Sequence, residues 1–231
     1  MTIHGITCSV DFADRLASGI DRWAAGLASL CVVTTPDDSA TLALCVDRPG
    51  VRVHMTDAFT RDGAAFNKGA ALSEAVDAGK VPMGDWVLAF DADIIPPADW
   101  ADRIANARPV AGTLYGATRT LCDGLADADA ATQRVDDADV AGFFMLFHGR
   151  DVNAAHRPLF DSCWRHAGNY DTRFMHRWAG GGSGDRQILP LLVAHQGPVR
   201  ENWWGRGNAV AMRRMEEERN RRGGSYEHER I

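Results

Sequence analysis

Residues 86–97 read WVLAFDADIIPP and carry the strongest indication of architecture in this chain. The first five residues are continuously apolar, which predicts a short strand buried on both faces of a sheet. Pro96 and Pro97 end regular structure soon afterwards. Asp91 and Asp93 therefore lie at the carboxyl end of an inner strand, where open α/β sheets bind their ligands. Two carboxylates are costly there without a neutralising cation, so they predict a site for a hard divalent ion that bridges a phosphate.

The sequence ahead of this stretch alternates short apolar runs with segments of helical periodicity. We predict strands at 6–10, 30–34 and 51–55, helices after Asp14 and over 66–78, and a short helix or strand at 41–46. This alternation predicts a parallel, doubly wound sheet in the first half of an α/β protein.

The second half has a different pattern. Residues 109–115 and 140–148 are predicted strands, and the Asp- and Ala-rich segment 122–139 is predicted to be an exposed, mobile loop. A helix is predicted to begin near Asp185, after a glycine-rich segment. The apolar positions of this predicted helix are Ile188, Leu189, Leu192 and Val193, with Pro190 in its first turns.

Composition limits the class of protein. A chain of 231 residues with 45% hydrophobic and 24% charged residues is expected to fold as one large α/β domain. No apolar run is long enough to cross a bilayer, and the N-terminus MTIHGITCSV lacks the pattern of a signal peptide. The five cysteines form no Cys-x-x-Cys pair and are expected to be buried thiols, so we expect a cytoplasmic protein. The net charge of −6 argues against a broad nucleic-acid-binding face.

The triplet Asp-Ala-Asp occurs three times, so the triplet alone is weak support for a metal site. The copy at 127–129 lies in a polar segment, and the copy at 137–139 precedes an apolar run instead of following one. Only Asp91 and Asp93 follow a predicted buried strand. Context therefore selects this pair as the candidate ligands of a metal or a phosphate.

Several short segments, taken in order, make the chain resemble the nucleotide-sugar-dependent glycosyltransferases of the GT-A fold. These segments are Val32 to Asp38, Phe66 to Gly69, Asp91-Ala92-Asp93, Tyr170 to Phe174, Gly181 to Asp185, His195 and Asn202 to Arg206. Each segment is short, and their order and spacing carry the resemblance. It implies a three-layer α/β/α sandwich around a mostly parallel mixed sheet with a Rossmann-like N-terminal half.

The resemblance also implies one GT-A-like catalytic domain over residues 1–210. About 1–108 would form the nucleotide-sugar-binding half and about 109–210 the acceptor and catalytic half, followed by a charged tail at 211–231. Gly184 replaces the acidic residue that often precedes the catalytic one in this family. A single carboxylate, Asp185, remains at that position.

The activity implied by the resemblance is transfer of a sugar from a nucleotide-sugar donor to an acceptor hydroxyl. Asp91 and Asp93 would hold Mn²⁺ or Mg²⁺ against the departing diphosphate, with Asp91 also touching the donor. His195 is the candidate third ligand, and imidazole suits Mn²⁺ better than Mg²⁺. Asp185 is the candidate general base of an inverting reaction, with Asp171 as second candidate. The structural alternatives are a helix cap for Asp185 and a carbonyl-bonded histidine for His195.

Further residues are assigned to the donor and the acceptor. The candidate donor-binding residues, besides Asp91, are Thr35, Asp38, Asn67, Lys68 and Arg206, and the candidate acceptor-binding residues are Asp171, Trp203 and Trp204. Lys68 is expected at a helix N-terminus, which favours anions. The alternative for Lys68 and Arg206 is an ordinary surface charge. The alternative for Trp203 and Trp204 is burial in the core.

The expected donor is a UDP- or GDP-sugar, and the acceptor is left open among a glycan, a lipid-linked sugar, a protein and a small molecule. The chain also resembles phage-type enzymes that glycosylate hydroxylated DNA bases, which would require a local basic groove. The arginines available for such a groove are Arg119, Arg134, Arg213 and Arg214.

Three further classes compete with glycosyl transfer. A nucleotidyltransferase can be built on a related sheet, and a glycan-binding protein could retain a decayed site. A haloacid-dehalogenase-type phosphatase also places Asp-x-Asp after a strand. Its motif usually opens the chain, however, and commonly carries Thr or Val where this chain has Ile95.

Overall fold

A mixed sheet forms the centre of the computed structural model, which describes residues 1–135, 139–152, 158–164, 166–176, 178 and 185–197. The nine strands of this described part are β1 (Ile3–Cys8), β2 (Ser29–Thr34), β3 (Val51–Met55), β4 (Trp86–Phe90), β5 (Ile94–Ile95), β6 (Leu114–Cys122), β7 (Arg134–Val135), β8 (Phe144–His148) and β9 (Arg186–Gln196). Their order across the sheet is β3-β2-β1-β4-β8-β6-β9-β5, and β7 pairs with β6.

The strand directions bring several strand ends to one edge. β3, β2, β1 and β4 run parallel to one another. β8 is antiparallel to both β4 and β6, so β6 runs in the same direction as β4. β9 is parallel to β6, and the short β5 lies antiparallel to β9. The carboxyl ends of β1, β2, β4, β6 and β9 therefore lie along one edge of the sheet.

Helices pack on both faces of the sheet. They are α1 (Ala13–Gly26), α2 (Ser39–Cys45), α3 (Lys68–Asp77), α4 (Trp100–Ala107), α5 (Leu125–Ala128) and α6 (Thr172–His176), with single 3₁₀ turns at Arg61–Gly63 and Gly149–Asp151. Within the described ranges, none of these helices has the length and apolar character needed to cross a bilayer.

Alternate residues of β4 enter two separate apolar cores. Leu88 and Phe90 pack on the side of α1 and α4, whereas Val87 and Ala89 pack on the side of α3. A strand buried on both faces belongs in the middle layer of a sandwich. The three-layer α/β/α architecture around a mostly parallel sheet, predicted from the sequence, is confirmed.

Trp23 of α1 holds the turn that follows β4. Its ring centroid lies 4.3 Å from that of Phe90 and 5.0 Å from that of Trp100. The Trp23 Nε1–H donates to the carbonyl oxygen of Ile94 at 2.9 Å. A buried aromatic ring with a satisfied polar atom packs in one orientation. These contacts from Trp23 therefore fix the acidic turn after β4 to the core on the α1 side of the sheet.

The N-terminal half agrees with the sequence prediction. The strand Trp86–Phe90 is fully buried, and residues 41–46 lie mostly in helix α2. Two details are wrong. The first strand, predicted at 6–10, is β1 at Ile3–Cys8. α1 begins at Ala13 with Phe12 at the N-cap position, so Asp14 lies in the first turn instead of capping the helix.

Three predictions for the second half are wrong. The strand predicted at 109–115 begins only at Leu114 and continues to Cys122. The segment 122–139 is not one loop, because it contains α5 and the two-residue β7. The helix predicted after Asp185 is strand β9.

β9 is a strand because its apolar residues alternate between two environments. The buried ones are Leu189, Leu191 and Val193, and the exposed ones in between are Ile188, Pro190 and Leu192. The register pairs Gly116 with Ile188 but Thr118 with Leu192, so Pro190 lies inside a bulge. A bulge tolerates proline because it does not need the ladder hydrogen bond that proline cannot donate.

Candidate functional site

The candidate site lies at the edge where β1, β2, β4 and β9 end. Asp91 to Asp93 form a turn directly after β4, in which the Asp91 N–H donates to the Phe143 carbonyl and the Ile94 N–H to the Asp91 carbonyl, both at 3.1 Å. The side chain of Asp91 is 31% exposed and that of Asp93 is 10% exposed. The acidic pair therefore occupies the edge of the sheet that binds ligands in α/β proteins.

His195 meets Asp93 because β5 and β9 pair antiparallel, with Ile94 opposite His195. The His195 Nε2 lies 3.8 Å from Asp93 Oδ2. The His195 Nδ1 lies 3.0 Å from the Gly197 carbonyl oxygen. Because a carbonyl only accepts, Nδ1 carries the proton in the neutral ring, and Nε2 presents its lone pair towards Asp93. This arrangement is the one that a metal-binding histidine needs.

Lys68, Asp91 and Tyr170 form a second cluster beside this pair. The Lys68 ammonium donates to Asp91 Oδ1 and lies 4.4 Å from the centroid of the Tyr170 ring. Burial lowers the pKa of Lys68, but the Asp91 carboxylate and the Tyr170 hydroxyl outweigh burial, so this pKa lies well above its ordinary value. Burial also raises the pKa of Tyr170. Lys68 is therefore a fixed positive charge at the site.

Asp171 lies next to this cluster, against Gly142. The Gly142 N–H donates a hydrogen bond to the Asp171 carboxylate. A methyl group at Gly142 would overlap that carboxylate, so a larger residue there would displace it. Burial raises the pKa of Asp171; the Lys68 ammonium opposes this and the Asp91 carboxylate adds to it, so the net shift is upwards. The residue as a whole is partly buried.

Asp38 is occupied by structural hydrogen bonds. Its Oδ1 accepts from the Thr41 N–H at 3.0 Å, which caps α2, and its Oδ2 accepts from the Asp11 N–H at 2.9 Å and the Thr34 hydroxyl at 3.1 Å. Burial raises the pKa of Asp38, but these hydrogen bonds outweigh burial and lower it. Asp38 therefore ties the loops after β1 and β2 together, and the half-buried Thr35 follows β2 beside it.

Asn67 is likewise occupied. Its side-chain oxygen accepts from the Ala70 N–H at 3.0 Å, which caps α3, and its amide donates to the Ser162 carbonyl at 2.8 Å. Asn67 is 4% exposed. It therefore sets the start of α3, and with it the position of Lys68, and both of its side-chain polar atoms are already engaged within the protein.

Asp185 lies apart from the other predicted residues. It precedes the first residue of β9, whereas His195 lies near the last. Ten residues of extended chain correspond to about 30 Å. Because β9 runs parallel to β6 and β4, Asp185 is at the opposite edge of the sheet and does not face the acidic pair. The helix that would have brought it to the site is absent from this stretch, because residues 186–196 form the strand.

Several predicted residues lie outside the described part of the chain. These are Trp203, Trp204, Arg206, Arg213 and Arg214, the glycines at 180–184 and the tail at 211–231. Of the arginines suggested for a basic groove, Arg134 is exposed on β7. Arg119 is 7% exposed and lies 4.2 Å from the centroid of the Phe143 ring. The prediction of Arg119 as a groove residue is therefore wrong, since its charge faces the protein.

The donor set fits a divalent cation in part. Among the described residues, no group of three His, Cys, Asp or Glu side chains is close enough to hold a metal. Asp93 and His195 supply two adjacent ligands of suitable chemistry, and Asp91 is engaged by Lys68. Hard cations in phosphate-transfer sites commonly use one or two protein ligands and complete their shell with substrate phosphates and water.

Sequence reasoning missed two features of this site. The pairing of Lys68 with Asp91 joins the start of α3 to the end of β4, and the contact of Gly142 with Asp171 joins two loops. No local pattern announces either contact. The structural roles of Asp38 and Asn67 could have been predicted from the sequence, because each directly precedes a helix and both residue types are preferred N-caps.

Solved structures of other proteins share this architecture. The structure of S. aureus TarS (1-349) matches with a TM-score of 0.57 at 9% identity, covering 85% of this chain and 60% of that one. Glucosyl-3-phosphoglycerate synthase from Mycobacterium tuberculosis, solved with Mn²⁺, UDP and glucosyl-3-phosphoglycerate, matches with a TM-score of 0.52 at 17% identity, covering 85% and 72%. This chain has the GT-A fold.

A third solved structure also shares this architecture. The 4-diphosphocytidyl-2C-methyl-D-erythritol synthase of Anaerococcus prevotii matches with a TM-score of 0.50 at 12% identity, covering 84% of this chain and 89% of that one. The chain spans 60% of the TarS (1-349) structure and 37% of a longer TarS structure. No protein-family model matches the sequence. No curated protein matches it either. At these identities the likeness shows the fold.

Proposed function

We propose that this chain is a glycosyltransferase that uses a divalent cation and moves a sugar from a UDP- or GDP-sugar to an acceptor hydroxyl. The observation that carries this proposal is the pair Asp93 and His195, 3.8 Å apart at the ligand-binding edge of a GT-A fold. A carboxylate and an imidazole together suit Mn²⁺. A cation bound there would offset the negative charge that a nucleoside diphosphate gains as it departs.

The protein's own residues have separate tasks in this proposal. Asp93 and His195 hold the cation. Lys68 keeps Asp91 in place and supplies positive charge at the N-terminus of α3, where the helix N–H groups also favour a phosphate. Thr35, directly after β2, would contact the ribose or the base. Asp38 and Asn67 support this site by shaping its loops, since their polar atoms are already bonded.

The remaining predicted residues stay proposals. Arg206 would offset the charge of the donor phosphates, and Trp203 and Trp204 would cover the donor or stack on a sugar face of the acceptor. The acceptor is a hydroxyl on a glycan, a small molecule or a modified DNA base. The second half, from about residue 109, would bind it.

A nucleotidyltransferase is the second candidate. The match to the Anaerococcus prevotii synthase covers most of both chains and favours this class. The two reactions differ in the bond that breaks. A glycosyltransferase releases a nucleoside diphosphate from a sugar nucleotide, whereas a nucleotidyltransferase releases pyrophosphate from a nucleoside triphosphate.

One assay separates the two functions. The protein is incubated with UDP- and GDP-sugars and Mn²⁺ or Mg²⁺, with a panel of glycan, small-molecule and hydroxymethylated-DNA acceptors, and release of UDP or GDP is measured. A parallel reaction contains a nucleoside triphosphate and sugar phosphates, and pyrophosphate is measured. Release of nucleoside diphosphate only with metal supports glycosyl transfer, and pyrophosphate alone supports the second candidate.

Two variants connect the assay to the site. Asp93→Ala should lower metal-dependent release by at least about a hundredfold, because it removes a charged ligand of the cation. Asp102→Asn is the matched control, since Asp102 is an exposed carboxylate on α4 away from the site, and it should retain wild-type activity. Full activity in Asp93→Ala would contradict the proposed metal site.

A further inference from the structure

Asp171 is held at the site by contacts that do not explain why it is acidic. Its main-chain carbonyl accepts from the Met175 N–H at 2.8 Å, at the start of α6. Its side chain, however, turns away to Gly142, where it accepts a backbone hydrogen bond. The neutral oxygen of asparagine could accept the same bond. A carboxylate that is partly buried and needs no charge for its structural contacts indicates a chemical role.

The surroundings of Asp171 connect it directly to the acidic turn. Gly142 precedes Phe143, whose carbonyl accepts from the Asp91 N–H. Tyr170 precedes Asp171, donates its hydroxyl hydrogen to the Gly142 carbonyl at 2.6 Å, and lies under the Lys68 ammonium. Asp171 and Tyr170 thus both hold the segment before β8, which in turn is hydrogen-bonded to the turn after β4. Because Gly142 and Phe143 lie beside the carboxyl end of β4, Asp171 is at the same edge of the sheet as Asp93 and His195.

We infer that Asp171, and not Asp185, is the general base of the transfer reaction, an inference that rests on the proposed function. The Asp171 carboxylate takes the proton of the acceptor hydroxyl as that oxygen attacks the anomeric carbon. The new carbon–oxygen bond forms while the bond from the anomeric carbon to the diphosphate oxygen breaks. The electron pair of that bond leaves with the nucleoside diphosphate, and the proton on Asp171 is later released to water. A single displacement of this kind inverts the anomeric configuration.

Gly142 makes the placement of Asp171 testable without touching its charge. The only neighbours that a methyl group at Gly142 would overlap within 3.1 Å are atoms of the Asp171 side chain, among the described residues. Gly142→Ala therefore displaces the carboxylate while the rest of the site can stay in place. The effect should appear in transfer and not in donor binding.

The experiment compares four variants in the full chain with a sugar nucleotide and Mn²⁺. Donor affinity is measured by calorimetry and transfer by nucleoside diphosphate release with acceptor. Asp171→Asn should retain donor affinity within about twofold and lose transfer by about 10²–10⁴-fold, the usual contribution of a general base. Gly142→Ala should also lose transfer with donor affinity retained. Asp185→Asn should transfer like the wild type, and sodium formate should restore part of the activity of Asp171→Ala.

Each result has a defined reading. Transfer by Asp171→Asn within about threefold of the wild type, or loss of donor binding together with transfer, would overturn the assignment of Asp171. Loss of transfer in Asp185→Asn alone would return the role to Asp185. A product with retained anomeric configuration would overturn the single displacement. Failure of the wild type to release a nucleoside diphosphate from any sugar nucleotide would overturn the proposed function itself, and this assignment with it.

Discussion

The ion pair of Lys68 and Asp91 joins two side chains of unequal burial. Lys68 is 7% exposed at its side chain, whereas its partner Asp91 is 31% exposed. When one member of an ion pair is removed, the charge that remains is left without its partner, and the cost grows with how deeply that remaining charge is buried. Removing the two members of this pair should therefore have unequal effects on stability. The pair therefore makes a residue-level prediction that does not depend on the reaction.

Asp91→Asn should destabilise the protein more than Lys68→Met. Removing Asp91 leaves the buried Lys68 ammonium unpaired, which should cost about 2–4 kcal/mol, whereas removing Lys68 leaves a carboxylate that water can reach, at about 1–2 kcal/mol. Urea unfolding measures both costs. The double variant should lose less than the sum of the two single variants, and an additive result would contradict the pairing.

Asp38 gives the stability a dependence on acid pH. Its folded pKa is lowered below its ordinary value by the hydrogen bonds from Thr41, Asp11 and Thr34, which outweigh burial. A lowered folded pKa contributes stability above the unfolded value of about 3.9, and that stability is lost as the pH falls through the folded pKa. Asp38→Asn should cost about 1–2 kcal/mol at pH 7 and progressively less below about pH 4. A wild-type advantage that stays constant down to pH 2.5 in urea unfolding would contradict this.

At the scale of single elements, β9 shows how local pattern and tertiary environment diverge. Its sequence places apolar residues next to one another, so both helical and strand periodicities can be fitted. Helical spacing groups Leu189, Leu192 and Val193 on one side. The pairing of β9 with β6 and β5 selects the alternate set, in which Leu191 is 2% exposed and Leu192 is 38% exposed.

Two adjacent leucines test this element. Leu191→Ala should lower the free energy of unfolding by about 2–4 kcal/mol, because it leaves a cavity in the core. Leu192→Ala, the same substitution one position on, should cost less than about 1 kcal/mol, because its side chain is largely in solvent. Unfolding in urea compares the two. A larger cost for Leu192→Ala would indicate that the segment is helical.

At the scale of the whole molecule, the candidate site exists because distant segments end at one edge of the sheet. Asp93 and His195 are 102 positions apart in the chain, and the antiparallel pairing of β5 with β9 brings them together. The same parallel course of β9 carries Asp185 to the other edge. The sheet topology therefore places His195 in the site and keeps Asp185, at the other end of the same strand, away from it.

Binding of cation and nucleotide should stabilise the whole fold. At a hundredfold excess over Kd, a ligand that binds only the folded state adds about 2.7 kcal/mol, a rise in Tm of about 5–10 °C for a domain of this size. Differential scanning calorimetry with UDP or GDP and Mn²⁺ should show this rise in the wild type and in Asp102→Asn. The metal-dependent part of the rise should be absent in Asp93→Ala, and an equal rise in that variant would contradict the proposed ligands.

The sequence was sufficient for the features that depend on local composition. The apolar run before Asp91, the strand–helix alternation of the first half and the resulting sandwich were all predicted, because burial on two faces and helical periodicity are recorded in neighbouring residues. The N-cap roles of Asp38 and Asn67 belong to the same local level, although the resemblance assigns both residues to the donor.

Other features depend on which strands become neighbours, and no segment of the sequence contains that information. The strand state of β9, the meeting of His195 with Asp93, the separation of Asp185 and the contact of Asp171 with Gly142 all follow from strand order and loop packing. Long-range pairing is set by the total burial of the sheet and overrides local periodicity where the two differ. The acidic pair was therefore visible in the sequence, but its partners became visible only in the folded chain.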